Sequence, residues 1–186
     1  MYLYQPCLLS MALYAWACDD PKKSRWRILA PLIVLALSEW ELSHARFSLY
    51  PAALGIPMLF LWGRIRTAAW AEVLTASLLG GLICWKAADA WPLLSISWLM
   101  LPLLLLAPTA VLCRDREDRC LACAIGGLFF ELFFCLREYM LFSFCVVRLG
   151  SRGGLSLGAS SICLYMLLEQ LFCMLRAKRR AEPAVN

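Results

Sequence analysis

Three ionisable residues lie inside one of the most apolar stretches of this chain. Residues 124–144 read AIGGLFFELFFCLREYMLFSF and contain Glu131, Arg137 and Glu138. In hydrocarbon a carboxylate can move a proton, hold a cation or solute, or hydrogen-bond a neighbouring helix. Left as a lone charge near mid-membrane, it costs at least a few kcal/mol. At 100° per residue Glu131 and Glu138 share one helix face, while Arg137 points about 120° from Glu131. Both carboxylates are therefore expected to turn into a bundle. Arg137 is expected to reach an acid of another segment or the headgroups, toward which long side chains near a segment end can snorkel.

Glu72 and Glu169 complete the candidate intramembrane polar positions. One reading is a path or solute site lined by Glu131, Glu138 and Glu169. The other is interhelical polar contact, the commoner fate of such groups, and it is preferred here.

The remaining motifs offer less chemistry. Glu39, Glu41 and His44, the single histidine, read as boundary residues. The stretch CRDREDRCLAC holds Cys113, Cys120 and Cys123, but a zinc site needs about four ligands and no second pair or nearby His completes one. Its Arg/Asp/Glu run reads as a solvated loop. GSRGGLSLG, residues 150–158, lacks the Gly-Lys-Ser/Thr of a phosphate loop and reads as a turn into a helix. No Ser–His–Asp, zincin or aspartyl-dyad pattern is present. No catalytic, cofactor-binding or metal-binding residue is expected, hence no cofactor and no enzyme activity.

The elements that position these residues follow from composition. Of 186 residues, 62% are hydrophobic and 17% charged, with a mean hydropathy of +0.70. A soluble domain of this size cannot hide so much apolar surface. The expected fold class is all-α, a polytopic transmembrane helical bundle of about seven segments forming one integral membrane domain. The segments fall near 2–18, 27–43, 48–63, 67–85, 90–113, 120–147 and 154–175, and the second and third are short for a full crossing. The first has no basic residues before its apolar run and reads as a retained helix rather than a cleaved signal.

Charge orients this bundle. If all seven segments span, one side carries Lys22, Lys23, Arg25, Arg27, Arg64, Arg66, Arg114, Arg116, Arg119, Arg176, Lys178, Arg179 and Arg180. The other carries Arg46, Lys86, Arg148 and Arg152. Basic loops favour the cytoplasm, so the N-terminus is expected outside and the C-terminus inside, with a basic cytoplasmic tail over 176–186. Trp26, Trp62 and Trp70 flank the inner boundaries, and Trp40, Trp85 and Trp91 the outer ones. The net charge of +5 is thus explained by helix orientation, and nucleic acid is not an expected partner.

Small residues four apart mark close helix contacts: Ser77 and Gly81, Ala122 and Gly126, Cys123 and Gly127, Gly154 and Gly158. Pro102 and Pro108 should kink the fifth segment. Most of the ten cysteines lie singly in apolar runs and behave as small hydrophobes, with no disulfide framework.

A basic KKSRWR before a short second segment, then ASLLGGLICWKAADAW, then AIGGLFFELFF and a basic tail, give a layout that resembles the YphA family of small multipass membrane proteins from Firmicutes. The resemblance implies a multipass plasma-membrane protein of unknown biochemical role, with no catalytic or cofactor residues to transfer. The expected function is non-enzymatic, acting through the lipid bilayer, a membrane protein partner or the envelope. The alternative is a solute-binding or transport subunit with intramembrane carboxylates lining its site.

Overall fold

The computed structural model describes residues 4–18, 29, 31–37, 41–44, 47–49, 51, 55–57, 69–90, 100–142, 147–149 and 152–181. Helices α1 (Tyr4–Cys18), α2 (Trp70–Asp89), α3 (Met100–Leu112), α4 (Arg116–Phe142) and α5 (Arg152–Ala181) dominate it. Residues 31–37 and 55–57 are helical as well. Among the described residues three helices are long and apolar enough to cross a membrane, Trp70–Asp89, Arg116–Leu141 and Gly153–Ala177, and Met100–Leu112 is a shorter apolar helix. Most of the expected 48–63 segment, residues 2–3 of the first, 27–28, 30 and 38–40 of the second, 67–68 of the fourth, 91–99 of the fifth and 143–146 of the sixth lie outside the described residues.

A small sheet adds to the helical expectation. Strands β1 (Leu42–His44) and β2 (Phe47–Leu49) pair antiparallel, with Leu42 opposite Leu49 and His44 opposite Phe47. Strand β3 (Val147–Leu149) joins β2 in parallel, Ser48 opposite Arg148. The end of the expected 27–43 segment, the start of 48–63 and the last residue of 120–147 are therefore extended rather than helical. Three-residue strands are too short to show an alternating pattern in sequence.

Helix α2 shows what kind of packing this is. Its buried side carries Val73, Ala76, Ser77, Gly80, Gly81 and Cys84, whereas Leu74, Leu78, Leu79 and Ile83 are exposed. Small residues inside and large aliphatic ones outside invert the pattern of a water-soluble helix. That is the arrangement expected where lipid is as apolar as leucine and association depends on close backbone approach.

Helix α4 lies at the centre. It runs parallel to α2, because Ser77 meets Ala122 and Asp89 meets Arg137. Helix α3 runs antiparallel to both, with Cys84 of α2 against Leu101 and Thr109 against Cys123. Helix α5 is antiparallel to α4 along its length, since Gly154 meets Glu131 and Glu169 meets Arg116. Leu8 and Met11 of α1 pack with Val34, Ile56, Leu155 and Ile162 in a core cluster that also takes in Cys120, Cys123 and Ala124 of α4.

These pairings give α4 and α5 offset ends. Glu131 is opposite the start of α5, so α4 continues about eleven residues, or ~16 Å at 1.5 Å per residue, beyond it. Arg116 begins α4 opposite Glu169, so α5 overruns that end by about twelve residues, or ~18 Å.

Candidate functional site

Two stripes of small residues on α4, each carrying a carboxylate, bring their acids to neighbouring helix starts. The first runs Asp118, Ala122, Gly126 and faces α2. A Cβ built on Gly81 would come within 3.0 Å of Gly126 O and 2.8 Å of Phe129 Cβ. Ser77 Oγ lies 2.6 Å from Val73 O and 3.0 Å from Ala122 O, sharing its one proton between its own helix and α4. At the head of the stripe Asp118 is 4% exposed, and the Ala69 amide donates to its Oδ2 over a long 3.4 Å. Ala69 is the N-cap of α2 and has no side-chain cap of its own, so α4 lends its amide the carboxylate that a Glu at the third helical position supplies in a capping box.

The second stripe runs Cys123, Gly127, Glu131 and faces α5. A Cβ on Gly127 would collide with Gly154 O, and one on Gly154 would come 2.6 Å from the Glu131 carboxyl carbon. A Cβ on Gly158 would touch Cys123 O at 3.4 Å. The four small-residue pairs expected from sequence all sit at these two crossings. Backbones this close let a short acid span the gap: the Gly154 amide donates to Glu131 Oε1 at 2.9 Å, and Glu131 is 5% exposed. Gly154 belongs to the first turn of α5, whose amides have no intrahelical acceptor.

Charges mark the two ends of the bundle. At the C-terminal end of α4, Arg137 Nη1 is 2.7 Å from Asp89 Oδ1 of α2, as expected for an acid of another segment. At the N-terminal end, Arg116 Nε is 2.9 Å from Glu169 Oε2. The N–H does not align with that oxygen, which makes the contact ionic rather than a directed hydrogen bond. Arg119 Nε donates to Cys113 O at 2.8 Å, placing a cation where the α3 dipole is negative. Its guanidinium also lies 5.8 Å from the Tyr165 ring centre on α5. Glu72, in the first turn of α2, and Asp118 are within electrostatic reach of Cys113 at this same end.

The candidate carboxylates are therefore not gathered. Glu131 and Glu169 contact α4–α5 positions fifteen residues apart, ~22 Å along the axis. Glu138 is exposed, which corrects the expectation that it turns inward with Glu131. Its azimuth is shared, but α5 begins one heptad short of it and covers nothing there. Asp118, expected with its Arg/Asp/Glu neighbours in a solvated loop, is buried instead. The available signal was its four-residue spacing from Ala122 and Gly126, which puts it on a packing face. Asp89 was likewise not singled out, and only the α2–α4 register identifies it as the acid for Arg137.

Cys120 and Cys123 are buried in the core, Cys84 donates to Leu101 O at 3.3 Å, and Cys7, Cys84, Cys113, Cys120, Cys123, Cys135, Cys163 and Cys173 are free thiols. Among the described residues no three His, Cys, Asp or Glu side chains gather as a metal site.

The geometry defines a class: a helical bundle packed on small residues, with three helices able to cross a membrane. No protein-family model, curated protein or solved structure matches the chain.

Proposed function

We propose that this chain is a non-enzymatic, multipass integral protein of the plasma membrane that acts through the lipid bilayer or a membrane or envelope partner. The N-terminal end of α4 faces the cytoplasm in this reading, because the larger group of basic residues lies on that side. The observation that carries it is the engagement of Glu131. The one candidate carboxylate buried near mid-helix is bonded to the chain's own backbone, at Gly154, and no second candidate acid shares its site. The resemblance to the YphA family points the same way and belongs to this proposal.

A solute-binding or transport subunit is the second reading, and one observation favours it. The start of α5 opens partway along α4, much as half-helix starts in transporters meet anionic solutes. Here Glu131 fills that place, so an anionic solute must displace it.

Thermal-shift screening of the purified protein against vitamins, amino acids and metals separates the two, together with crosslinking in cells. The leading reading predicts no solute-dependent shift and one dominant crosslinked membrane or envelope protein, or enriched lipid. A reproducible shift by one solute, lost in Glu131→Ala, overturns it in favour of transport.

A further inference from the structure

The overhang of α5 is the feature that neither the bundle nor its polar contacts explain. Beyond Glu169 no helix of the described bundle flanks it. Leu171, Phe172, Met174 and Leu175 are 52%, 62%, 67% and 49% exposed, and Cys173, Arg176 and Ala177 are exposed with them. Five consecutive apolar residues cover every azimuth of a helix at 100° per step, so this is a collar rather than a face. An all-round apolar helix is stable in lipid and not in water. Directly after it come Arg176, Lys178, Arg179 and Arg180, four cations within five positions of the continuing helix.

An apolar collar followed at once by a basic one matches the two layers of a leaflet, acyl chains and then headgroups. The order of the two collars places the headgroup layer toward the end of α5. Clustered Lys and Arg at the cytoplasmic edge of a membrane helix attract anionic lipid. Four like charges within five positions of sequence disfavour a second parallel copy as the occupant.

We propose that residues 171–180 of α5 form a lipid-binding element selective for anionic phospholipid of the cytoplasmic leaflet. Acyl chains cover Leu171, Phe172, Met174 and Leu175, and phosphates meet the basic run. This rests on the orientation adopted under the proposed function and names one of its partners. The offset of α5 explains why the element exists: the helix starts about eleven residues short of one end of α4 and carries its surplus length past the other. The contact of Arg116 with Glu169 marks that register.

The test is native mass spectrometry of the detergent-solubilised protein, titrated with phosphatidylglycerol and with phosphatidylcholine. Phosphatidylglycerol should bind at least about 100-fold tighter, a preference that falls as salt is raised. Replacing all four cations (R176Q, K178Q, R179Q, R180Q) should bring the two lipids to near parity. R176Q alone should cost about fivefold, which keeps the test intact if the fourfold variant expresses poorly. Equal binding of the two lipids by the unmodified protein overturns the proposal, as does a preference untouched by the substitutions. A dimer that persists in phosphatidylcholine and is lost in Phe172→Ser also overturns it, because the collar is then a self-interface. The lipid ratio does not depend on which solute or protein partner is found, so failure here and failure of the broader functional reading are distinguishable.

Discussion

The backbone nitrogen of Gly154 donates to Glu131 Oε1 across 2.9 Å, joining the middle of α4 to the first turn of α5. Helix α5 begins well short of the end of α4, and Gly154 in its first turn is buried. A buried first-turn amide has no intrahelical acceptor and needs one from elsewhere in the protein. An acid near mid-helix is thus explained by a neighbouring helix that starts beside it. Gly127 and Gly154 bring the backbones close enough for the short side chain to reach.

The glycines of the two crossings should differ in tolerance. A Cβ at Gly127 meets backbone, Gly154 O, whereas at Gly126 the closest atom is Leu105 Cδ1 at 2.6 Å, the tip of a flexible side chain. Gly127→Ala should destabilise by about 1–3 kcal/mol, the usual cost of overpacking. Gly126→Ala should be near neutral, since Leu105 can rotate and the helix gains roughly 1 kcal/mol in propensity. Chemical unfolding in mixed micelles reads the difference, and equal losses would count against the crossing geometry.

Asp118 should behave as a cap rather than a surface charge. Its removal in Asp118→Ala should cost about 1 kcal/mol and raise hydrogen exchange in the first turn of α2, around Ala69 to Val73. Asp115→Ala, exposed on the same charged run, should leave that turn unchanged. Exchange that rises equally in both variants would mean that Asp118 acts only through bulk charge.

The orientation is checked by thiol labelling in a cysteine-free background. Cysteines replacing Ser24, Arg114 and Arg180 should resist an impermeant reagent applied to intact cells, while those replacing Ala45 and Ser151 should react. External labelling at position 114 would invert the bundle and remove the cytoplasmic assignment of the α5 overhang.

Much of this was readable before any coordinates. The four-residue spacing of Cys123, Gly127 and Glu131 follows from helical period alone, so the inward turn of Glu131 and the small-residue crossings could be expected. The partner of Glu131 could not, because its identity depends on where α5 begins. The same unknown register hid the exposure of Glu138, which shares a face with Glu131 but lies beyond the start of α5. Asp118 was masked by its charged neighbours. Strands such as Leu42–His44 are set by pairing partners distant in sequence, not by local pattern.

The most direct measurement of the central claim, that Glu131 is a structural contact between α4 and α5, is the stability and solute response of two substitutions. Glu131→Gln keeps a carbonyl for the Gly154 amide and should unfold within about 0.5 kcal/mol of the unmodified protein, inside the range of a minor substitution. Glu131→Leu leaves that amide without its acceptor and should lose about 1–2 kcal/mol, the worth of an intramembrane polar contact. Unchanged stability in both variants, with a solute-dependent thermal shift abolished in Glu131→Gln, would contradict the account and assign the carboxylate to a path.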